Sequence, residues 1–267
     1  MSLAEIDLSI LWPALIAGLL VSISHVPLGQ QVLSRGIVFI DLAIAQVAGL
    51  GVIAANCFEL PIDGWGAQIA AGAAALAGAL LLTWTERKRP EVQEALIGIL
   101  FVLASTAQIL LLANDPHGGE NLKDLLAGQI LWVSTDQLIR TAVLTAVYAL
   151  VWFQWRERIG RIGFYVLFAI VVTASVQLVG VYLVFTSLIV PAVATYRHSP
   201  KRQLAIGYAL AVGSYLAGLG VSLVTDLPSS PVIVWAMAAV AIAVHLTARA
   251  AERGHTVAIA LETSAPD

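Results

Sequence analysis

Residues 65–89 read WGAQIAAGAAALAGALLLTWTERKR. The first 21 carry no charge, and Arg87, Lys88 and Arg89 then follow Glu86 in a tight group. An uncharged run of that length suffices to cross a bilayer as a helix, which takes about 20 apolar residues. The basic group marks where the run stops, because Lys and Arg favour the cytoplasmic face. The arrangement recurs: the basic clusters are Arg35; Arg87, Lys88 and Arg89; Arg156, Arg158 and Arg161; Arg197, Lys201 and Arg202; and Arg249 and Arg253. Of the 14 basic residues only Lys123 and Arg140 lie elsewhere. A soluble domain scatters its charges; here they punctuate long apolar stretches.

Composition agrees. The chain is 59% hydrophobic and 12% charged, with a mean hydropathy of +0.88. A central Arg, Lys or Asp in a span costs about 2.5–3.5 kcal/mol on insertion scales, so charge is excluded from such segments. A single Cys57 cannot form an intrachain disulfide. No basic stripe with aromatics suggests nucleic acid. The N-terminal MSLAEIDLSILW carries Glu5 and Asp7 where a signal peptide would be positive, and reads as an external tail before a retained helix.

Nine spans are predicted, near 8–24, 37–58, 65–85, 95–113, 138–155, 162–179, 181–196, 204–224 and 231–248. The fold class is therefore all-α, a polytopic transmembrane bundle of 8–9 spans forming one domain over 1–267. The seventh segment is short and contains Pro191, which predicts a broken or partly re-entrant helix. Starting outside, an odd number of crossings puts the C-terminus and all five basic clusters inside. The external loops are then 59–64, 114–137 and 225–230. The apolar run LLAGQILWVS inside 114–137 is too short to cross and is expected at the interface or re-entering against protein. Segment 65–85, rich in Gly and Ala, is expected to pack closely among neighbouring helices.

Chemical motifs are sparse. The chain has no Gly-x-x-x-x-Gly-Lys-Ser/Thr phosphate loop and is not expected to bind ATP through one. Gly49-Leu50-Gly51 lies inside a span with no strand before it and reads as helix packing. No His-Glu-x-x-His or Cys-x-x-Cys site exists, no cofactor is expected, and an enzyme reading has almost nothing to rest on. Asp41 is the acid well inside a span, about 6 Å from its start at Ile37, with Gln46 about 14 Å in. An intramembrane carboxylate is a functional candidate by default, here as a transient metal ligand; the competing reading pairs it with Arg35 or the cytoplasmic interface. Gln46, like Gln108 and Gln177, reads first as an interhelical hydrogen-bonding group. His25 and His245 read as interfacial. Asp115, His117 and Glu120 read as a solvated loop rather than a cation site.

Four stretches, in order, carry a resemblance. Pro27-Leu28-Gly29, Arg35 and VFIDLAIAQVAGLG (38–51) open it; Leu126-Ala127-Gly128-Gln129-Ile130-Leu131 follows; then VGVYLVFTSLIVPAVATYR (179–197) through Gly180, Pro191 and Ala192; and finally Asp226-Leu227-Pro228. Together they resemble the permeases of the ABC-3 family, the membrane subunits of zinc and manganese ABC importers. The family pattern reads Pro27-Leu28-Gly29 as a turn. The resemblance implies a type II ABC importer-like fold, a homodimer in the bacterial cytoplasmic (inner) membrane, a cytoplasmic ABC ATPase and an extracytoplasmic metal-binding protein. It places the substrate pathway at Asp41 and Gln46, and ATPase coupling in the QWRERIGRIG turn at Arg156, Glu157, Arg158, Gly160 and Arg161. One departure stands out: the family's helix carries Asp-x-x-x-His, whereas Gln46 occupies the histidine position. Asp41 falls one residue early, about 140° around the helix from Gln46. A carboxamide is a poorer ligand than imidazole for a divalent transition metal, which weakens zinc as the substrate. The rival readings are a stand-alone secondary carrier, disfavoured because Asp41 is nearly alone, and a permease for a chelate of cobalamin or siderophore type.

Overall fold

The computed structural model describes residues 8–57, 65–113, 115, 117–128, 130–155 and 158–245. Within them the apolar runs are helices. In chain order they are α1 (Leu8–Arg35), α2 (Ile40–Cys57), α3 (Trp65–Lys88), α4 (Gln93–Leu112), α5 (Gly118–Ala127), α6 (Thr135–Trp155), α7 (Arg161–Val179), α8 (Val181–Thr195), α9 (Pro200–Thr225) and α10 (Ser229–His245). Six are long and apolar enough to cross a membrane, and α2, α8 and α10 are shorter apolar helices, among the described residues. The nine predicted spans correspond to these nine helices, six clearing that length and three falling short. The tenth, α5, is built mainly from the polar start of the 114–137 loop and takes in only residues 125–127 of the apolar run expected at the interface.

The helices form two groups joined by α7. On one side α2 packs on α3 and α4; on the other α1 packs on α8, α9 and α6. Helix α7 touches members of both and is the most buried of the six long spans. Large apolar side chains remain exposed on the outer faces, including Ile139, Val143, Val147 and Leu150 along one stripe of α6. In water such a surface would be costly, but lipid solvates it.

Three expectations need correction. The Pro27-Leu28-Gly29 turn is helix: α1 runs through it to Arg35. Pro27 lacks an N–H and so leaves the Ile23 carbonyl without its helical donor; the Tyr208 hydroxyl of α9 donates to that oxygen at 3.2 Å. Gly29 serves packing instead, because a Cβ there would overlap the Leu188 carbonyl oxygen of α8. Helix α8 is likewise continuous through Pro191. Neighbouring helices and hydroxyls re-satisfy a backbone interrupted by proline within a membrane, so the break is not required. His25 is fully buried, not interfacial, with Nδ1 3.0 Å from the Val21 carbonyl.

Four basic clusters gather at one end of the bundle. The Arg35 guanidinium lies 4.0 Å over the Phe164 ring, and Arg161 pairs with Glu86 at 3.4 Å beside the Arg87–Arg89 group. Leu33 and Ser34 of α1 share a cleft with Tyr196 and Gln203, next to Arg197–Arg202. The fifth cluster, Arg249 and Arg253, lies outside the described residues. At the opposite end Gly128 and Gly180, at φ 68 and 85, stack backbone on backbone, so a Cβ on either would collide with the backbone around the other. The Ser230 hydroxyl, at the start of α10, donates to the adjacent Val179 carbonyl at 3.3 Å.

Candidate functional site

Helix α1 closes with two reverse bonds, Gly36 N–H to the Leu33 carbonyl at 3.2 Å and Ile37 N–H to the Val32 carbonyl at 3.3 Å. That ending turns the chain directly into α2. Glu94 of α4 accepts a hydrogen bond from the Phe39 N–H at 3.2 Å, and so anchors the start of α2. Asp41 therefore falls in the first turn of α2 and is 0% exposed. Both carboxylate oxygens are buried without a hydrogen-bond partner, and Asp41 has no ion pair among the described residues. Arg35 stacks on Phe164 instead, so this carboxylate is not paired with Arg35. As a first-turn residue Asp41 lies at the positive dipole end of α2.

Gln46 plays the bridging role expected of it. The Gln108 amide of α4 donates to both the Gln46 side-chain oxygen and its backbone carbonyl, each at 2.7 Å. This ties α2 to α4 and engages the Gln46 side-chain oxygen. The Gln108 Oε1 atom is buried without a partner. Asp41 and Gln46 are not brought together.

One turn beyond Gln46, Gly49 borders a cavity of about 720 Å³ at the α5 end of the bundle. Its polar wall comes from Asn56 of α2, Gln68 of α3, Asp124 of α5, Gln137 and Arg140 of α6, Gln177 of α7, and Asp115. Arg140 is held by Asp136 at 2.7 Å. Gln68, Gln137, Arg140 and Gln177 also line a neighbouring open apolar groove of about 510 Å³ along α6 and α7, whose wall includes the exposed Ile139, Val143 and Val147. Asp41 borders neither; eight residues before Gly49, it sits about 12 Å deeper along α2.

Sequence reasoning reached Gln108 and Gln177 as polar points but missed Gln68, Gln137, Asp124 and Arg140 as wall residues. Arg140 did carry a signal, since it lies outside the basic clusters. Asp115 accepts the His117 N–H at 2.9 Å, and the exposed His117 and Glu120 side chains lie 4.0 Å apart, which fits a solvated loop. No group of three His, Cys, Asp or Glu residues able to hold a metal occurs among the described residues. In the basic turn, Arg158 is exposed, Gly160 caps α7, and Arg161 is tied to Glu86; Arg156 and Glu157 lie outside the described residues.

Comparison with known proteins identifies the scaffold. The sequence profile of the ABC 3 transport family matches residues 7–160 and 157–248. A "Probable metal transport system membrane protein" of Chlamydia muridarum (strain MoPn / Nigg) is 25% identical over 249 residues, covering 84% of each chain. Among solved structures, PsaBC from Streptococcus pneumoniae in complex with Fab superposes with a TM-score of 0.73 at 21% identity, covering 91% of this chain and 92% of that one. A structure described as "An inward-facing conformation of a putative metal-chelate type ABC transporter" gives 0.67 at 15% identity, covering 92% and 91%. These likenesses establish the fold. With nine apolar helices among the described residues and a family match that spans nearly all of them, the chain is a multi-pass membrane protein and belongs to the ABC 3 transport family.

Proposed function

We propose that this chain is the permease of an ABC importer that moves a divalent metal ion of the zinc or manganese class into the cytoplasm. It works as a homodimer in the bacterial inner membrane, driven by a separate cytoplasmic ATPase and supplied by an extracytoplasmic metal-binding protein. Family membership supports the transport role, and the Chlamydia relative's description supports metal as the cargo. The observation that carries the pathway is Asp41: a fully buried carboxylate with no hydrogen-bond partner, in the first turn of a membrane helix. A negative charge there lowers the barrier for a desolvated cation in a low-dielectric passage. The α5-end cavity stops about 12 Å short of Asp41, so passage requires the contacts between them to open, as alternating access demands.

The test is Asp41→Asn, which keeps size and hydrogen-bonding ability but removes the charge. With the complete importer in proteoliposomes, uptake of zinc and manganese should fall at least about tenfold, the equivalent of 1.4 kcal/mol. The amount of assembled complex should not change. Wild-type uptake by the variant would remove Asp41 from the pathway.

A further inference from the structure

We infer that the open cleft at the basic end, between α1, α8 and α9, holds the headgroup of an anionic phospholipid from the adjoining leaflet. The site stands apart from the translocation route and from the identity of the cargo. The cleft measures about 420 Å³ and combines apolar Leu33, Ala192 and Val193 with polar Gln30, Tyr196 and Gln203. That mixture suits the join between a lipid's headgroup and its acyl chains. The volume falls in the range for organic ligands, roughly 300–1,000 Å³.

The cleft opens toward lipid. Ile16, Leu19 and Ile23 form an exposed apolar stripe along α1, and the helical repeat carries that stripe on to Gln30 and Ser34. Across from them, Val193 and Tyr196 of α8 are also exposed. A headgroup seated in the cleft leaves its chains to run along the α1 stripe. A partner docking from water would have no use for that apolar flank.

Charge selects an anion. The α8–α9 turn supplies Arg197, Lys201 and Arg202, and no Asp or Glu occurs between Glu157 and Asp226. Other basic groups at this end have acids beside them: Arg161 pairs with Glu86 at 3.4 Å, and Arg89 lies 3.9 Å from Glu91. Lys201 and Arg202 are exposed and make no ion pair among the described residues. The Tyr196 hydroxyl accepts from Arg197 Nε at 2.8 Å, which holds that guanidinium beside the cleft. Helix α9 begins in the same turn without a side-chain cap, so its positive end adds to the field. The Gln30 amide nitrogen is buried and has no acceptor among the described residues. A phosphodiester offers acceptors to all of these, and basic pockets between membrane helices recognise anionic headgroups in this way.

Native mass spectrometry of the purified chain in detergent tests this with dioleoyl phosphatidylglycerol and dioleoyl phosphatidylcholine, which differ in headgroup charge. Phosphatidylglycerol should bind once per chain, at least about tenfold more tightly. Lys201→Gln combined with Arg202→Gln should abolish that preference, as the loss of both membrane-facing cations implies. Val193→Trp fills the cleft and keeps every charge, so it should weaken binding severalfold, and it decides the matter if the glutamine pair inserts poorly. Arg87→Gln combined with Lys88→Gln, at the same end but outside the cleft, should leave binding unchanged. Equal losses in the two glutamine pairs would mean diffuse surface attraction and overturn the site, as would full binding by Val193→Trp. Displacement of the lipid by an equal concentration of glycerol phosphate would make this a site for soluble anions and overturn the lipid assignment. Loss of a co-purifying ATPase from the Lys201 and Arg202 variant, with its lipid preference intact, would give the turn to protein docking instead.

Discussion

At the scale of single residues, the structure turns on small groups whose size is their function. Gly29 lets α1 cross α8 so closely that a Cβ would overlap the Leu188 carbonyl oxygen, whereas Gly72 has nothing within 4 Å of its would-be Cβ. Gly29→Ala should therefore destabilise the protein by about 1–3 kcal/mol, the usual range for overpacking. Gly72→Ala should be neutral or stabilise by up to about 1 kcal/mol, since alanine favours a helix interior. Thermal denaturation in detergent compares them, and equal melting temperatures would refute the packing argument. Glycine's presence was legible in the sequence, but which glycine meets a backbone was not, because that depends on the partner helix. Asp41 was legible for the opposite reason: a charge among apolar residues stands out whatever surrounds it. Gln46 was read correctly as a bridge, yet only the fold could name Gln108, 62 residues away, as the other half.

At the scale of helices, hydropathy placed the spans well, and proline was the main source of error. Periodicity and charge say where a run is apolar, but they do not say whether a neighbour will satisfy a carbonyl that proline has freed. Tyr208 does this for Ile23 across an α1–α9 contact. Tyr208→Phe should cost about 0.6 kcal/mol, typical of hydrogen bonds between membrane helices. In a Pro27→Ala background the restored N–H can serve the Ile23 carbonyl itself, so the same change should cost clearly less. A double-mutant cycle on unfolding free energies measures that coupling, and strictly additive effects would exclude it. The α5 segment was also only half legible. The apolar run that begins at its end, 125–134, was seen to be too short to cross, but its seat depends on Gly128 meeting Gly180, two glycines far apart in sequence and both at positive φ.

At the scale of the whole molecule, the charge pattern makes two linked claims about sidedness. The basic end should face the cytoplasm and therefore the ATPase. Arg158 is exposed there, while Arg161 is committed to Glu86, so Arg158→Glu is the cleaner probe of docking. It should weaken co-purification of the ATPase while leaving membrane insertion unchanged; full assembly of a correctly inserted variant would move the contact elsewhere. Orientation itself follows from the same asymmetry. Arg35 ends α1 and Arg87–Arg89 surround the end of α3, with α2 running between them in the opposite direction. If those ends are cytoplasmic, Cys57, the last residue of α2, lies on the external side. It is the chain's sole thiol, so labelling needs no background correction. An impermeant maleimide should modify it in intact spheroplasts, and a reporter fused at the C-terminus should be active only in its cytoplasmic form. Moving Arg87, Lys88 and Arg89 to glutamine would weaken the positive-inside bias of one loop and should leave the remaining clusters to hold the topology. A C-terminal reporter active only outside the cell would invert every span and place the basic turns beyond the reach of any cytoplasmic ATPase.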